Sequence, residues 1–492
     1  MTTTYRSNAY SVFFMPEATY GTDPGIVTAA TVDGTSEDLK YQPQYASQYS
    51  GATPYRAHIR LAAPPDGLPK RPMVPVEQVY PTNDYDPFHA KGLRGGQEFS
   101  LTMHVHGGVL DSGSQLDTDR PMPPPWLALC SSASGRMFGH LSSLNIGGGN
   151  LVGTNATKVD AQVPIAATSF DIAAETGTIG TMDEGVVFGV DFGTGTSTPD
   201  IELCRCTFSG GAAEFGNNEG PTSGAVYNGT NMGFSAAPAA ADIVYWPCQV
   251  AFDRRYESVS PSYTILIMRP DVDTAYLMTG CKAKDFEISA NFGEIPTCKI
   301  TFVCKDSIPF SEGGTTAFGG TPTMVDEPDY YSNWPCAKVI ADDEIVFMNN
   351  TTVTRGLAIS GLSIKWAAGY TPRHSNMATE GTEDVRLTEK QDLTVSFTCL
   401  YRDEWRDLLG ACYAVDGSYG TFPLIYWSGE SRSQLWAFAA AALHLKEDPG
   451  LDGDFEGNQA HTVTLGCRRY SNDNGDFATT TLVDTKWALC TF

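Results

Sequence analysis

His104 and His106 stand two residues apart in an alternating stretch, so both sit on one face of a strand and could offer two imidazoles to a metal ion. The chain holds only 8 histidines, and a later segment of the same pattern carries Thr398 where the first has His104, which favours an ordinary strand. Cys204 and Cys206 also share a face, but one pair without a second lacks the spacing that closes a zinc site. Asp452, Asp454 and Glu456 could present alternate carboxylates to calcium. Their surroundings lack the ligand spacing of a helix–loop–helix calcium loop and read as a hydrated hairpin turn. Gly193-Thr194-Gly195 has no following Lys-Ser/Thr to hold a phosphate, and neither Gly-x-Ser-x-Gly nor His-Glu-x-x-His occurs. The expectation is a protein with no catalytic residue, no cofactor and no metal.

Composition points the same way. Against 57 Asp+Glu there are 32 Lys+Arg, a formal charge of -25, which argues against gripping nucleic acid by neutralising phosphates. Gly (49) and Pro (30) are plentiful and long runs at helical spacing are scarce, so the class expected is all-β. No apolar run is long enough to span a membrane, and residues 1–21 offer no leader-like apolar stretch, so the expectation is a chain made in the cytoplasm without a membrane partner. Of the 12 cysteines, Cys298, Cys304, Cys399 and Cys467 fall inside apolar alternation and read as small buried thiols.

The elements that organise these residues come in two copies. Residues 97–105 (Gln-Glu-Phe-Ser-Leu-Thr-Met-His-Val) and 391–399 (Gln-Asp-Leu-Thr-Val-Ser-Phe-Thr-Cys) match class by class. Phe99, Leu101, Met103 and Val105 would face a core, as would Leu393, Val395, Phe397 and Cys399. Glu98, Ser100, Thr102, Asp392, Thr394, Ser396 and Thr398 would face water. Each copy continues with a short helical segment (Pro125 to Leu129; Glu404 to Leu409), an apolar strand (Tyr263 to Met268; Phe422 to Trp427) and a closing strand ending at Cys304 or Cys467. A strand also precedes each anchor, Arg56 to Leu61 and Leu357 to Trp366. The polar connections 62–96 and 367–390 then read as arms that reach a neighbour.

The offset between copies is 294 at the anchor strand and 163 at the Cys304/Cys467 strand, so the first copy holds about 131 extra residues. The expected division is a first domain of 1–139 and 251–310, an inserted small β-barrel or sandwich at 140–250, a linker at 311–335 and a second domain at 336–492. Within the insertion, Val163 to Ile172, Val186 to Phe192 and Ile201 to Phe208 alternate like strands.

Glu17-Ala-Thr-Tyr20-Gly21-Thr22 resembles the N-terminal Glu-x-x-Tyr-Gly-Thr signature of the major tail tube proteins of long-tailed, non-contractile bacteriophages. The strand, long loop, strand order is similar to that family, as is the segment from Leu277 to Asp306, in which Gly280 and Gly293-Glu294 carry the match. On that likeness Gly280 opens a strand, Phe286, Ile288 and Ala290 fill a core, and Gly293-Glu294 turns the chain. The resemblance implies two tandem tube domains of sandwich or half-barrel form, each with a short helix. Three chains would then complete a pseudo-hexameric ring, and stacked rings would form a hollow virion tail that conducts DNA into the host.

The implied partners are other copies of the chain as homotrimeric rings, the tail terminator and distal tail proteins, the tape measure protein and, transiently, DNA. Glu98, Asp285, Glu287 and Asp392 are the candidates for an acidic bore, since three chains at -25 put -75 in each ring. Alternatives of the same fold are a terminator, a distal ring or a decoration protein. A glycan-binding β-protein is the alternative from another class.

Overall fold

The chain folds as a mostly β protein of antiparallel sheets with two short helices. This computed structural model describes residues 10–27, 29–31, 55–67, 76–78, 88–90, 97–107, 124–133, 135–138, 156–158, 169–171, 186–191, 201–209, 212–214, 243–245, 248–252, 261–269, 274–310, 343–349, 352–374, 382–387, 390–413, 420, 422–429, 435–455, 458–467 and 487–491.

The first copy is built from β1 (Ser11–Pro16), β2 (Tyr55–Ile59), β3 (Leu61–Asp66), β4 (Gln97–His104), α1 (Pro125–Cys130), β5 (Tyr263–Arg269), β6 (Thr274–Asn291), β7 (Thr297–Cys304) and β8 (Asp306–Phe310). Its strands lie side by side as β2-β1-β5-β6-β7-β4-β3, with β8 on the N-terminal half of β6.

The second copy is built from β9 (Asp343–Asn349), β10 (Thr352–Arg355), β11 (Ile359–Ala367), β12 (Asp392–Leu400), α2 (Asp403–Cys412), β13 (Phe422–Ser428), β14 (Trp436–Leu445), β15 (Gly450–Phe455), β16 (Asn458–Cys467) and β17 (Trp487–Thr491). They lie as β10-β9-β13-β14-β16-β12-β11, with β17 on the N-terminal half of β14 and β15 on β16. Strand for strand, the neighbours are the same in both copies. The single long β6 is matched by two strands, β14 and β15.

The ladders correct the alignment of the closing strands. Thr297 lies opposite His104 and Thr462 lies opposite Thr398. Because His104 and Thr398 are equivalent, Thr297 corresponds to Thr462, an offset of 165 instead of the 163 obtained by matching Cys304 to Cys467. A slip of two residues keeps every side chain on its face, so alternation is blind to it.

Most of the apolar faces meet in one shared core, beside a smaller cluster around Phe13, Met15, Leu266, Met268 and Leu277. Phe99, Leu101, Met103, Leu393, Val395 and Phe397 are all buried in the shared core, together with Trp126 of α1 and Trp405 of α2. It does not divide at the boundary between copies: Trp487 of β17 meets Phe286 edge-on at 5.3 Å and Trp366 at 5.5 Å. Trp366 also donates its indole N–H to the Ala133 carbonyl at 2.8 Å, which satisfies the one polar atom of a fully buried ring.

The inserted segment forms a six-stranded antiparallel sheet in the order 169–171, 212–214, 201–209, 186–191, 243–245, 156–158, with no closed barrel among the described residues. Of the expected strand from Val163 to Ile172, only Ser169–Asp171 falls within the described residues. The strands flanking the insertion, Gly135–Phe138 and Cys248–Phe252, pair with each other, and the latter also pairs with β17 of the second copy.

The connections 62–96 and 367–390, expected as extended arms, each hold a two-stranded hairpin. These are Val76–Gln78 with Phe88–Ala90, and Tyr370–His374 with Thr382–Leu387. Tyr370 and Val385 of the second hairpin are buried in the main core. The linker assigned to 311–335 lies outside the described residues.

Replacing Trp366 by Ala should cost about 3–5 kcal/mol, because it opens a ring-sized cavity under both copies and orphans the Ala133 carbonyl. Equilibrium unfolding in denaturant checks this. A loss confined to one of two separate transitions would contradict the shared core.

Candidate assembly interface

The two copies join edge to edge. The C-terminal half of β6 pairs with β7 of its own copy on one side and with β11 of the other copy on its second side, from Asp285↔Ala367 to Asn291↔Gly361. The result is a continuous run β3-β4-β7-β6-β11-β12-β16-β15. One face of this run is dry, carrying Phe286, Ile288, Ala290, Leu362, Ile364 and Trp366 among others.

The other face is wet and rich in hydroxyls. One cross-strand row runs His104, Thr297, Ser289, Ser363, Ser396, Thr464, and the next runs Thr102, Lys299, Glu287, Lys365, Thr394, Gly466. All four acids proposed from the sequence lie on this wet side of their strands, at least partly exposed. Three of them meet lysines: Glu287 meets Lys365 of the neighbouring strand at 3.8 Å, while Glu98 meets Lys284 at 2.9 Å across β7 and Asp392 meets Lys446 at 2.6 Å across β16. Lys446 also donates to Thr394 Oγ1 at 2.6 Å. Exposed pairs of this kind contribute about 0–1 kcal/mol each, so their importance here is the local charge balance.

The N-terminal motif forms a separate knot. One oxygen of Glu17 accepts the Gly21 N–H and the Ser262 hydroxyl, and the other accepts the Gly280 N–H and the Thr264 hydroxyl, each at 2.7 Å. Four donors on one carboxylate tie the turn after β1 to β5 and β6. Tyr20 lies within cation–π range of the Lys282 and Lys305 ammonium groups, at 5.5 and 5.3 Å.

Gly280 has φ +64, and a Cβ there would lie 2.6 Å from Lys305 Cβ and 3.1 Å from the Tyr20 ring. It does not open a strand as expected. It sits inside β6, at the bulge where Tyr263 pairs with Cys281 and Ile265 with Met278. Gly293, at φ +78, does make the turn into β7. There Glu294 N–H bonds to the Asn291 carbonyl at 3.0 Å and Asn291 Nδ2 donates to the Glu294 carboxylate at 2.8 Å.

The metal candidates stay apart. His104 lies on the wet side of β4, whereas His106 is buried beyond its end, with Nδ1 2.8 Å from the Gly107 carbonyl. Asp452 and Asp454 lie along β15, and Glu456 is outside the described residues. No group of three or more His, Cys, Asp or Glu among the described residues is placed to hold a metal. Cys130, Cys281, Cys298, Cys304, Cys399, Cys412 and Cys490 are buried free thiols, and Cys467 is a half-buried one. Burial pushes the Cys399 and Cys412 thiols up to about 12. Cys204 and Cys206 lie on one strand of the inserted sheet, opposite Phe188 and Val186.

Searched against known proteins, the chain matches no family model and no curated relative.

Replacing Glu17 by Gln turns one oxygen into an amide that faces donors, and should lower stability by about 3 kcal/mol, the loss of two charge-assisted bonds. Thermal unfolding of the variant against the parent measures it; an unchanged midpoint would show that the knot carries no load.

A second expectation concerns acid. Burial, with Arg60 and Arg56 nearby, draws His58 down to about 3, and burial draws His106 down to about 4. Both rings are neutral when folded but take a proton below about 6.5 when unfolded, so their contribution is intact above that pH and is lost as pH falls toward 4. The loss should reach a few kcal/mol by pH 4 and shrink in a His58→Gln/His106→Gln variant. Unfolding midpoints measured from pH 7 to 4 check the slope.

Proposed function

We propose that this chain is a structural virion protein, the repeating unit of a hollow phage tail tube, with each copy of the repeated fold serving as one sandwich or half-barrel tube module. The observation that carries the reading is the joint between copies. One fold is present twice, and the second copy continues the first by extending the same sheet, dry face to dry face and wet face to wet face. A sheet that grows by adding modules at its edge is suited to closing around an axis, with the wet side toward a bore.

Three chains would supply six modules to a ring. The Glu17-x-x-Tyr20-Gly21-Thr22 knot lends support, because every residue type of the resembling signature that makes a contact there has a structural reason: an acid for four donors, an aromatic between two lysines, a glycine at φ +69. Stacking has a natural seat as well. The exposed large apolar side chains among the described residues are Phe292, Ile295 and Tyr401. They gather at one rim of the run, where Phe292 N–H bonds to the Ser360 carbonyl and Leu400 N–H to the Ala358 carbonyl. Three such rims per ring, one from each chain, would bury apolar surface against the next ring.

In this reading the bore treats DNA differently from the acidic lining expected from composition. Three of the four acids pair with Lys284, Lys365 and Lys446, and Lys299 stands on the same face opposite Glu287, so the wall is nearly neutral and lined by hydroxyls. Overall repulsion would come from the charge of -25 elsewhere on the chain, and the wall itself would offer no cationic grip. The terminator, distal tail and tape measure proteins would be the partners at the ends and inside.

Negative-stain microscopy of the purified chain tests the proposal. Hollow filaments or stacked rings of uniform bore are expected. Isolated closed rings that never stack would indicate a terminator or distal ring, and a monomer without a channel at every concentration would overturn the tube reading.

A further inference from the structure

The joint inside the chain uses two edges, the outer side of β6 and the outer side of β11. Each has a counterpart in the other copy. The counterpart of β11 is β3, because Lys365 lies opposite Thr394, Asp66 lies opposite Ser100, and Thr394 and Ser100 are equivalent residues of the repeated anchor strand. The counterpart of the β6 half-strand is the end of β14 running into β15. Glu287 lies opposite Lys299, the Lys446 N–H bonds to the Thr464 carbonyl at 2.9 Å, and Lys299 and Thr464 are equivalent. Among the described residues, β3 pairs only with β4 and β15 only with β16, so these two edges stand at opposite ends of the run.

We infer that they meet between chains: the edge formed by Lys446 to Phe455 of one chain pairs with β3 of a second copy, in the register that β6 and β11 use within the chain. Charge supports the pairing. Inside the chain, Glu287 faces Lys365 across the joint at 3.8 Å. The equivalent positions across the joint between chains are Lys446 and Asp66, the same pair with its signs exchanged. The same register sets Gly450 against Ala63, as Ser289 is set against Ser363.

The two joints differ in strength. The internal one has a seven-residue register from Asp285 to Asn291. On β3, Pro64 and Pro65 supply no N–H, and two register shifts interrupt its ladder with β4. Such an edge forms fewer bonds to an incoming strand and resists pairing with strangers. The joint between chains is therefore the weaker of the two, which keeps single chains from polymerising until a neighbour is held in place.

That the partner is a second copy rests on the ring reading, and the test separates the two. Cysteines are placed at Ala63→Cys and Gly450→Cys in one variant, and at Ser289→Cys and Ser363→Cys in a control variant. Both are oxidised under identical conditions and run on non-reducing gels. The control should close a bridge within one chain, which shows that the sheet is folded and the chemistry works. The first variant should give covalent multimers, ending at a closed trimer if the ring holds three chains.

Mixing the two single variants should give dimers, while each alone gives none. A control that bridges beside a first variant that stays monomeric on the gel overturns the edge pairing. Rings seen by microscopy in that same sample would leave the tube reading standing on other contacts. Replacing Pro64 and Pro65 by Thr should raise the assembled fraction several-fold at a given concentration; a fall in assembly would contradict the role given to the prolines.

Discussion

The structure depends on one strand being paired on both sides by different copies of the same fold. In an antiparallel sheet every other side chain points to the core, so a strand with two neighbours has its backbone satisfied and its dry face shared. From Asp285 to Asn291, β6 meets Thr297–Thr301 on one side and Gly361–Ala367 on the other. The consequence is a core that continues beneath the joint, where Trp487 of the second copy sits against Phe286 of the first and Trp366 of the second. Duplication here has produced one larger body and not two independent beads.

Beta-6 can serve two sheets because it changes partners along its length. Its N-terminal half lies between β5 and β8, and its C-terminal half between β7 and β11. The change happens at a bulge that only a residue comfortable at positive φ can occupy, and Gly280 stands there with Tyr20 and Lys305 packed too close for a side chain. Glu17 then caps the bulge by accepting the Gly280 N–H, which would otherwise lose its ladder partner. The second copy makes the same change at an equivalent bulge inside β14, where Phe422 pairs with Leu443 and Leu424 with Ala440, and breaks the strand only later, with Lys446 to Pro449 between β14 and β15. That break leaves an edge whose composition differs from β6 although its place in the sheet is the same.

On the wet face, reading along single strands shows only part of the charge. Reading along each strand finds Glu98, Asp285, Glu287 and Asp392 and suggests an acidic surface. The lysines that balance them stand across the strands: Lys284 reaches Glu98 over 186 residues of chain, and Lys365 reaches Glu287 over 78. At separations of about 3–4 Å the nearest opposite charge decides the local field, whereas net charge governs only what happens beyond a screening length of about 10 Å.

Alternation of apolar and polar residues told which side of each strand is buried, and Phe99, Leu101, Met103, Leu393, Val395 and Phe397 all lie where that pattern puts them. The order of elements, the two helices with their Trp residues and the repetition itself were equally legible, because each is written in local period and residue class. Which strands lie side by side was not, and neither was the register at Thr297 and Thr462, where a two-residue slip leaves the pattern unchanged. The pairing of β6 with β11 and the lysine partners of the acids were hidden for the same reason. Periodicity records what one residue sees above and below its own strand, and only the folded backbone, by hydrogen-bonding segments tens to hundreds of residues apart, decides what it sees to either side.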